Sequence, residues 1–261
     1  MRSIKEFKVF LIAVVAFIGL TFGISSTANA LVDLKVEGRY WYSTLEADAK
    51  VSDGSIIGTN INFVDDLGVD ATNGFPELRA IIGLGSHKIR YSFIQLEWEG
   101  DETISQDINF AGFTYTATAS VDTTFSVDMH SLGYEYDIIE VIGNKVGLIA
   151  ELKYIDMNAN LEASSLAGSD QKDSLLKFPL PTLGVVAQVG IPILFVNAEV
   201  TGISLGEKAY FVDADASINF IPLPLLTISG GYRLINIHVD YDDNVGNINI
   251  AGPYLALRFG F

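Results

Sequence analysis

Val32-Asp33-Leu34-Lys35-Val36-Glu37-Gly38-Arg39-Tyr40-Trp41-Tyr42-Ser43 reads in steps of two. Val32, Leu34, Val36, Gly38, Tyr40 and Tyr42 fall on one side of an extended chain, and Asp33, Lys35, Glu37, Arg39, Trp41 and Ser43 on the other. Successive side chains of a β-strand point to opposite faces, so one face of this segment is oily and the other mostly ionised. The rhythm returns in Val196, Ala198 and Val200 against Asn197, Glu199 and Thr201. It returns again in Tyr210, Val212, Ala214, Ala216 and Ile218 against Phe211, Asp213, Asp215, Ser217 and Asn219. A soluble sandwich alternates in the same way. These apolar faces, however, are broad and mix in Gly and Ala, which suits contact with hydrocarbon, where no interlocking core has to be filled.

A helical membrane span does not compete with this reading. The best candidate, Phe178 to Val196, holds Pro179, Pro181 and Pro192 with Gln188 in its middle. Proline removes a backbone donor and breaks helices, so the stretch reads as two strands around a turn at Ile191-Pro192. A membrane chain without a spanning helix has to close its strands into a barrel, because lipid satisfies no backbone polar group.

The first thirty residues read as a secretory signal peptide. Arg2, Lys5 and Lys8 form a basic start, Val9 to Gly23 is almost wholly apolar, and Ala28-Asn29-Ala30 is a small-x-small cleavage site. The apolar run is short of the roughly 20 residues a bilayer span needs. Residues 31–261 then form one domain. The leading segment holds three of the chain's 16 basic residues and one of its 32 acidic residues, Glu6, which leaves 13 basic against 31 acidic, a net charge of −18. That balance excludes a nucleic-acid partner. The absence of cysteine excludes disulfides, thiolate metal sites and cysteine nucleophiles.

Ten strands are expected, over 32–46, 76–86, 88–100, 121–138, 145–160, 177–190, 193–204, 208–220, 225–241 and 246–261, with eight or twelve as alternatives. The connections at Ser86-His87, 139–144, 191–193 and 221–224 are short, and those at 47–75, 101–120 and 161–176 are long and polar. Outer-membrane barrels alternate tight periplasmic turns with long outer loops in this way. Several strands change phase if their oily residues are kept on one face: between Phe93 and Leu96, between Met129 and Leu132, and between Leu234 and Ile235. A β-bulge at each place supplies the extra residue. Tyr40, Trp41, Tyr42, Trp98 and Tyr241 are expected at the outer headgroup level, and Tyr91, Tyr134, Tyr136, Phe220 and Phe259 at the periplasmic one.

The chain ends Gly252-Pro253-Tyr254-Leu255-Ala256-Leu257-Arg258-Phe259-Gly260-Phe261. This resembles the terminal strand of Gram-negative outer-membrane β-barrel proteins, which alternates apolar residues and finishes on an aromatic. The resemblance covers these last residues and the general strand pattern, and names no subfamily. It implies an antiparallel transmembrane barrel in the outer membrane, reached through the periplasm. It also implies an assembly signal in Tyr254, Leu255, Leu257, Phe259 and Phe261, read by the barrel-assembly machinery. Pro253 departs from a clean strand and marks an expected bulge. The partners expected are the export and assembly machinery, outer-membrane lipids and lipopolysaccharide.

With oily faces on lipid, the charges turn inward. Lys35, Glu37, Arg39, Arg79, Arg90, Glu97, Asp128, His130, Glu151, Lys153, Glu199, Asp213, Asp215, Arg233, His238 and Asp240 are the expected lumen lining, acids outnumbering bases. A small barrel is nearly filled by its own side chains. The role expected is structural, or that of a narrow, porin-like passage that favours cations. A surface enzyme acting on lipid or peptide is the rival, with His130–Asp128 and His238–Asp240 as acid/base pairs. Omptin proteases share the expected strand count and nothing more specific, so no catalytic residue is carried over. Binding through the long loops is a third reading. No phosphate loop, dinucleotide fingerprint, zinc spacing or EF-hand is present, so no cofactor, no metal and no enzymatic activity are expected.

Overall fold

The computed structural model describes residues 32–53, 55–163 and 171–260, the side chains of 171–176 excepted. The expected signal segment, 1–30, and the terminal Phe261 lie outside the described residues. In chain order the strands are β1 (Val32–Lys50), β2 (Ile61–Asn62), β3 (Thr72–Leu84), β4 (His87–Thr103), β5 (Ile108–Phe110), β6 (Phe113–Tyr115) and β7 (Ser120–Val141). They continue with β8 (Asn144–Ala163), β9 (Gln171–Ile191), β10 (Leu194–Ser204), β11 (Ala209–Leu223), β12 (Leu226–Tyr241) and β13 (Asn244–Gly260). β2, β5 and β6 are short pieces of the loops. The other strands pair antiparallel with their neighbours in sequence order, and β13 returns to β1, with Lys35 opposite Gly260. The result is a closed barrel of ten strands, in which every wall strand has a neighbour on each side.

Closure fixes the dimensions. The paired residues run from Leu34 through Ile82, Ile89, Tyr134, Ala150, Leu183, Gly202, Val212, Asn236 and Asn249, and come back to β1 at Glu46. This stagger of twelve residues requires the strands to tilt by about 40°. β7 has 22 residues, and at that tilt it rises roughly 55 Å. The lipid-facing band of such barrels is only about 25 Å tall. The wall therefore stands well clear of the membrane on one side.

The first and last described residues, Val32 and Gly260, and the tight turns around Gly85, Gly143, Pro192 and Leu225 lie at one end of the barrel, here the turn end. The longer connections lie at the other, the loop end. Pro179 and Pro181 fall where β9 has run past its last β10 pair, Leu183–Gly202. With no strand on that edge, the missing proline N–H costs no ladder bond.

Four expected bulges are absent. Pairing runs without a shift through Phe93–Leu96 of β4, Met129–Leu132 of β7 and Leu234–Ile235 of β12. Register shifts occur instead near strand ends, at Asp137/Ile139, Met157/Asn158 and Phe220/Leu223. Pro253 sits in unbroken register opposite Tyr232. The strands keep phase, and the two faces exchange polarity instead. Along β7 the outward face reads Tyr136, Tyr134 and Leu132, then His130, Asp128, Ser126 and Asp122. Its inward face reads Asp137, Glu135 and Ser131, then Met129, Val127, Phe125 and Val121. The cause is the change of solvent along the strand. Beside lipid the outside must be oily. Above lipid the outside meets water, so oily residues turn inward as in any soluble core.

Candidate functional site

The interior divides at this change of polarity. In the turn-end half, charged side chains from facing walls bond one another. Arg39 donates to Glu37 and, at 2.7 Å, to Asp215, and its guanidinium lies 4.2 Å from the centre of the Tyr254 ring. The Tyr254 hydroxyl donates to the other Asp215 oxygen at 2.8 Å. Arg233 donates twice to Asp213 at 2.9 Å, lies 3.1 Å from Glu77 and stands over Trp41 at 5.1 Å. Arg79 donates through Nε to Glu77 at 2.8 Å. Arg90 grips Glu199 at 2.6 and 2.7 Å and reaches Glu135 at 3.0 Å. Lys153 bridges Glu151 at 2.8 Å and Asp213 at 3.0 Å. Lys145 donates to Glu135 at 2.6 Å, Lys88 to Asp137 and Glu135, and Arg258 to Glu37 at 2.6 Å. At the mouth Lys35 pairs with Asp33.

These basic residues are matched one for one by Asp33, Glu37, Glu77, Glu135, Asp137, Glu151, Glu199, Asp213 and Asp215, so the described lumen is balanced rather than acidic. The chain's surplus of acid sits instead on the outer wall and loops, for example at Glu97, Glu99, Asp122, Asp128 and Asp240.

The loop-end half is filled with hydrocarbon. Trp41, Leu45, Leu96, Trp98, Phe125, Val127, Met157, Ile235, Ile237 and Ile250 point inward from the wall and are buried. Two loop segments descend onto them. Ile61, Phe63, Leu67 and Val69 come from the connection after β1, and Ile108, Phe110 and Tyr115 from the β5–β6 hairpin. Phe63 packs against Phe125 at 5.3 Å and Phe110 at 6.3 Å, and Phe75 meets Trp98 edge-on at 4.9 Å. The Phe63 N–H donates to the Ala47 carbonyl and the Thr59 N–H to that of Asn109, which ties the loops to the wall and to each other. At this level the barrel is stoppered by its own chain.

The structure brings Lys35, Glu37, Arg39, Arg79, Arg90, Glu151, Lys153, Glu199, Asp213, Asp215 and Arg233 into the lumen. It does not bring Glu97, Asp128, His130, His238 or Asp240 there. All five lie above the change of polarity, and an unbroken register turns them outward. His130 takes Tyr91 at 2.9 Å and stacks on Phe93 at 4.4 Å. His238 takes Asn247 and stacks on Tyr210 at 5.3 Å. Neither ring is bonded to its neighbouring aspartate. Trp41 and Trp98, expected at the headgroups, are fully enclosed (0 % exposed), whereas Tyr40 and Tyr42 do face outward and Tyr241 is exposed at the end of β12. In the last strand Leu255, Leu257 and Phe259 turn outward, but Tyr254 turns inward because no bulge forms at Pro253. Lys88, Glu135, Asp137 and Lys145 join the lumen unforeseen. For Glu135 and Asp137 the signal was available, since they alternate with the lipid-facing Tyr134 and Tyr136.

Comparison with solved structures places this architecture. The outer-membrane protease OmpT of Escherichia coli superposes with a TM-score of 0.54, covering 91% of this chain and 99% of that one at 9% identity. The chain has the fold of an outer-membrane β-barrel. At this identity the likeness speaks for the fold alone. Ail of Yersinia pestis (TM-score 0.36, 11% identity, 88% of this chain and 99% of that one) and the neisserial surface protein NspA (0.36, 13%, 89% and 98%) are more distant. No family profile matches the sequence, and no curated protein matches it.

Proposed function

We propose that this chain is a structural, non-conducting outer-membrane barrel that carries a rigid, acidic wall above the membrane. The reading rests on one observation: the loop-end half of the lumen is packed with buried apolar side chains of wall and loops. A passage through it would have to unseat Phe63, Phe110 and Tyr115 together. The balanced ion pairs beneath give a cation no preference, so the cation-leaning conduit is the weaker reading. A catalytic role has less support, because His130 and His238 stand on the outer wall against aromatic rings. Residues 1–30 direct export in this reading, and the outward Leu255, Leu257 and Phe259 contribute to assembly. Planar-bilayer recording with the refolded barrel tests the proposal. A silent membrane is the expected record. Steady single-channel steps would overturn it, and cation selectivity in those steps would restore the conduit.

A further inference from the structure

The outer wall carries a groove where two strands part. β9 pairs with β10 only as far as Leu183–Gly202, although it stays paired with β8 as far as Leu161–Gln171. β10 ends at Ser204, and the chain turns back into β11 at Ala209. The wall is therefore notched on the loop-end side of that last pair. An apolar groove of about 800 Å³, open to the outside, crosses β7, β8 and β9 to reach the notch. Its size falls within the roughly 300–1,000 Å³ of ordinary ligand sites.

Register shows how the groove arises. Tyr134, Ala150, Leu183 and Gly202 follow one another across four strands. Ala150 and Gly202 are its low points, between the large side chains of Tyr134 and Leu183 and below Leu132 and Leu152 of the next row. A Cβ on Gly202 would lie 2.6 Å from the Phe211 carbonyl oxygen, so the close approach of β11 keeps that position bare. Thr182 lines the groove where the seam opens. It is 2 % exposed, and its hydroxyl has no partner among the described residues. Glu151, opposite it on β8, is held by Lys153 at 2.8 Å. A buried hydroxyl is costly to leave unpaired, so the groove calls for an occupant with an acceptor at this point.

The surroundings choose the occupant. Pro179 and Pro181 leave the free edge of β9 short of donors, which rules out another strand. The groove's rim is hydrocarbon and belongs to the lipid-facing part of the wall, whose outward face turns polar just above it, at His130 and at the Asp156–Lys177 pair. The row of His130 and Tyr154 meets β9 at Pro179, three residues from Thr182. At the strand rise and tilt of this barrel, that sets Thr182 about 8 Å below the change of polarity. The interfacial layer of a bilayer is about 5–7 Å thick on each side, so the ester groups of a lipid come level with the Thr182 hydroxyl.

We propose that this groove seats one acyl chain of a lipid from the loop-end leaflet, with the Thr182 hydroxyl donating to its ester carbonyl. The proposal rests on the barrel's place in the membrane and is independent of whether the lumen conducts.

Photolabelling tests it. The refolded full barrel is irradiated in dimyristoylphosphatidylcholine vesicles that contain a phosphatidylcholine with a diazirine on one acyl chain, and the labelled positions are mapped by mass spectrometry. Labelling of 132–134, 150–152 and 181–183 is expected to exceed at least threefold that of 40–42 and 232–234, where Tyr40, Tyr42 and Tyr232 are exposed just below the change of polarity on the far wall. A150F, which fills the floor, is expected to abolish the excess. T182V, which keeps the shape and loses the hydroxyl, is expected to lower it about twofold. An ether-linked diazirine lipid, which has no ester carbonyl, is expected to label wild type as weakly as the ester lipid labels T182V. Should a variant fail to fold, by the heat-shifted gel mobility of closed barrels, the ether lipid on the wild-type barrel decides. Even labelling of the two walls would overturn the proposal. So would an excess that the folded variants leave unchanged, or equal labelling by the ester and ether lipids.

Discussion

Replacing Arg233 with Met removes the most enclosed cation of the network while keeping most of its length. Arg233 is 1 % exposed, donates twice to Asp213 and forms an ion pair with Glu77 at 3.1 Å. Without it Asp213 keeps Lys153 at 3.0 Å, and Glu77 keeps Arg79 at 2.8 Å. The network is left with one carboxylate too many in a space with little water. Breaking a buried pair on one side costs about 3–5 kcal/mol, which is more than a hundredfold in the unfolding equilibrium constant. Removing the stranded charge as well, in R233M/D213N, restores the balance. The double variant should therefore be more stable than the sum of the single effects by about 1–3 kcal/mol. Urea titration of the barrel in lipid vesicles, followed by tryptophan emission, reads both numbers, since the Trp41 ring lies 5.1 Å from the Arg233 guanidinium. A loss under about 1 kcal/mol for R233M, or strict additivity in the double variant, would mean that the charges are solvated singly and that the lumen is wet.

Two further substitutions probe the halves separately. A Cβ on Gly231 would lie 2.4 Å from the Tyr254 ring and 2.6 Å from the Ala216 carbonyl. G231A is thus expected to lift Tyr254 off Arg39 and Asp215 and to cost about 2–3 kcal/mol in the same titration, whereas Gly38, with open space at its Cβ, should accept alanine without a measurable change. Phe125→Ala removes the ring that supports Phe63 and Trp98. It should cost about 3–5 kcal/mol and make the 61–69 segment an early site of proteolysis, and an unchanged cleavage pattern would count against the stopper.

Much of the barrel was legible in the sequence, and its limits are instructive. The alternation in Val32–Ser43, the tight connections near Ser86 and Pro192 and the apolar last strand together gave ten wall strands in the right order. The lumen residues from the turn-end half, such as Glu37, Arg79 and Arg233, followed from that alternation. The differences share one cause: alternation read on its own implies a single solvent along the whole strand. Keeping Leu96 and Trp98 on the lipid side demanded a bulge, and that bulge then turned Glu97 into the lumen. The same assumption misplaced Asp128 and His130 on either side of Met129, and His238 and Asp240 after Leu234. In each strand the oily residues pass from the outer face to the inner one while the register holds. Strand length held the clue, since a segment twice as tall as a bilayer's core must leave it. The stopper was less legible. Ile61, Phe63, Leu67 and Val69 are spaced as in any loop, and only their contact with Phe125 and its neighbours shows what they fill.

The exchange of faces within one unbroken strand is the central claim, and a nitroxide scan along β7 tests it most directly. The chain has no cysteine, so single cysteines from Val121 to Tyr136 can each be labelled alone in lipid vesicles. The account predicts that even-numbered positions are the accessible ones throughout. Oxygen dissolved in lipid should reach Leu132, Tyr134 and Tyr136, and a water-soluble nickel complex should reach Asp122, Thr124 and Asp128, while odd positions stay shielded from both. If the accessible set switched from even to odd between Met129 and Leu132, the strand would carry a bulge after all, and the division of the interior into an ion-paired half and an apolar stopper would be wrong.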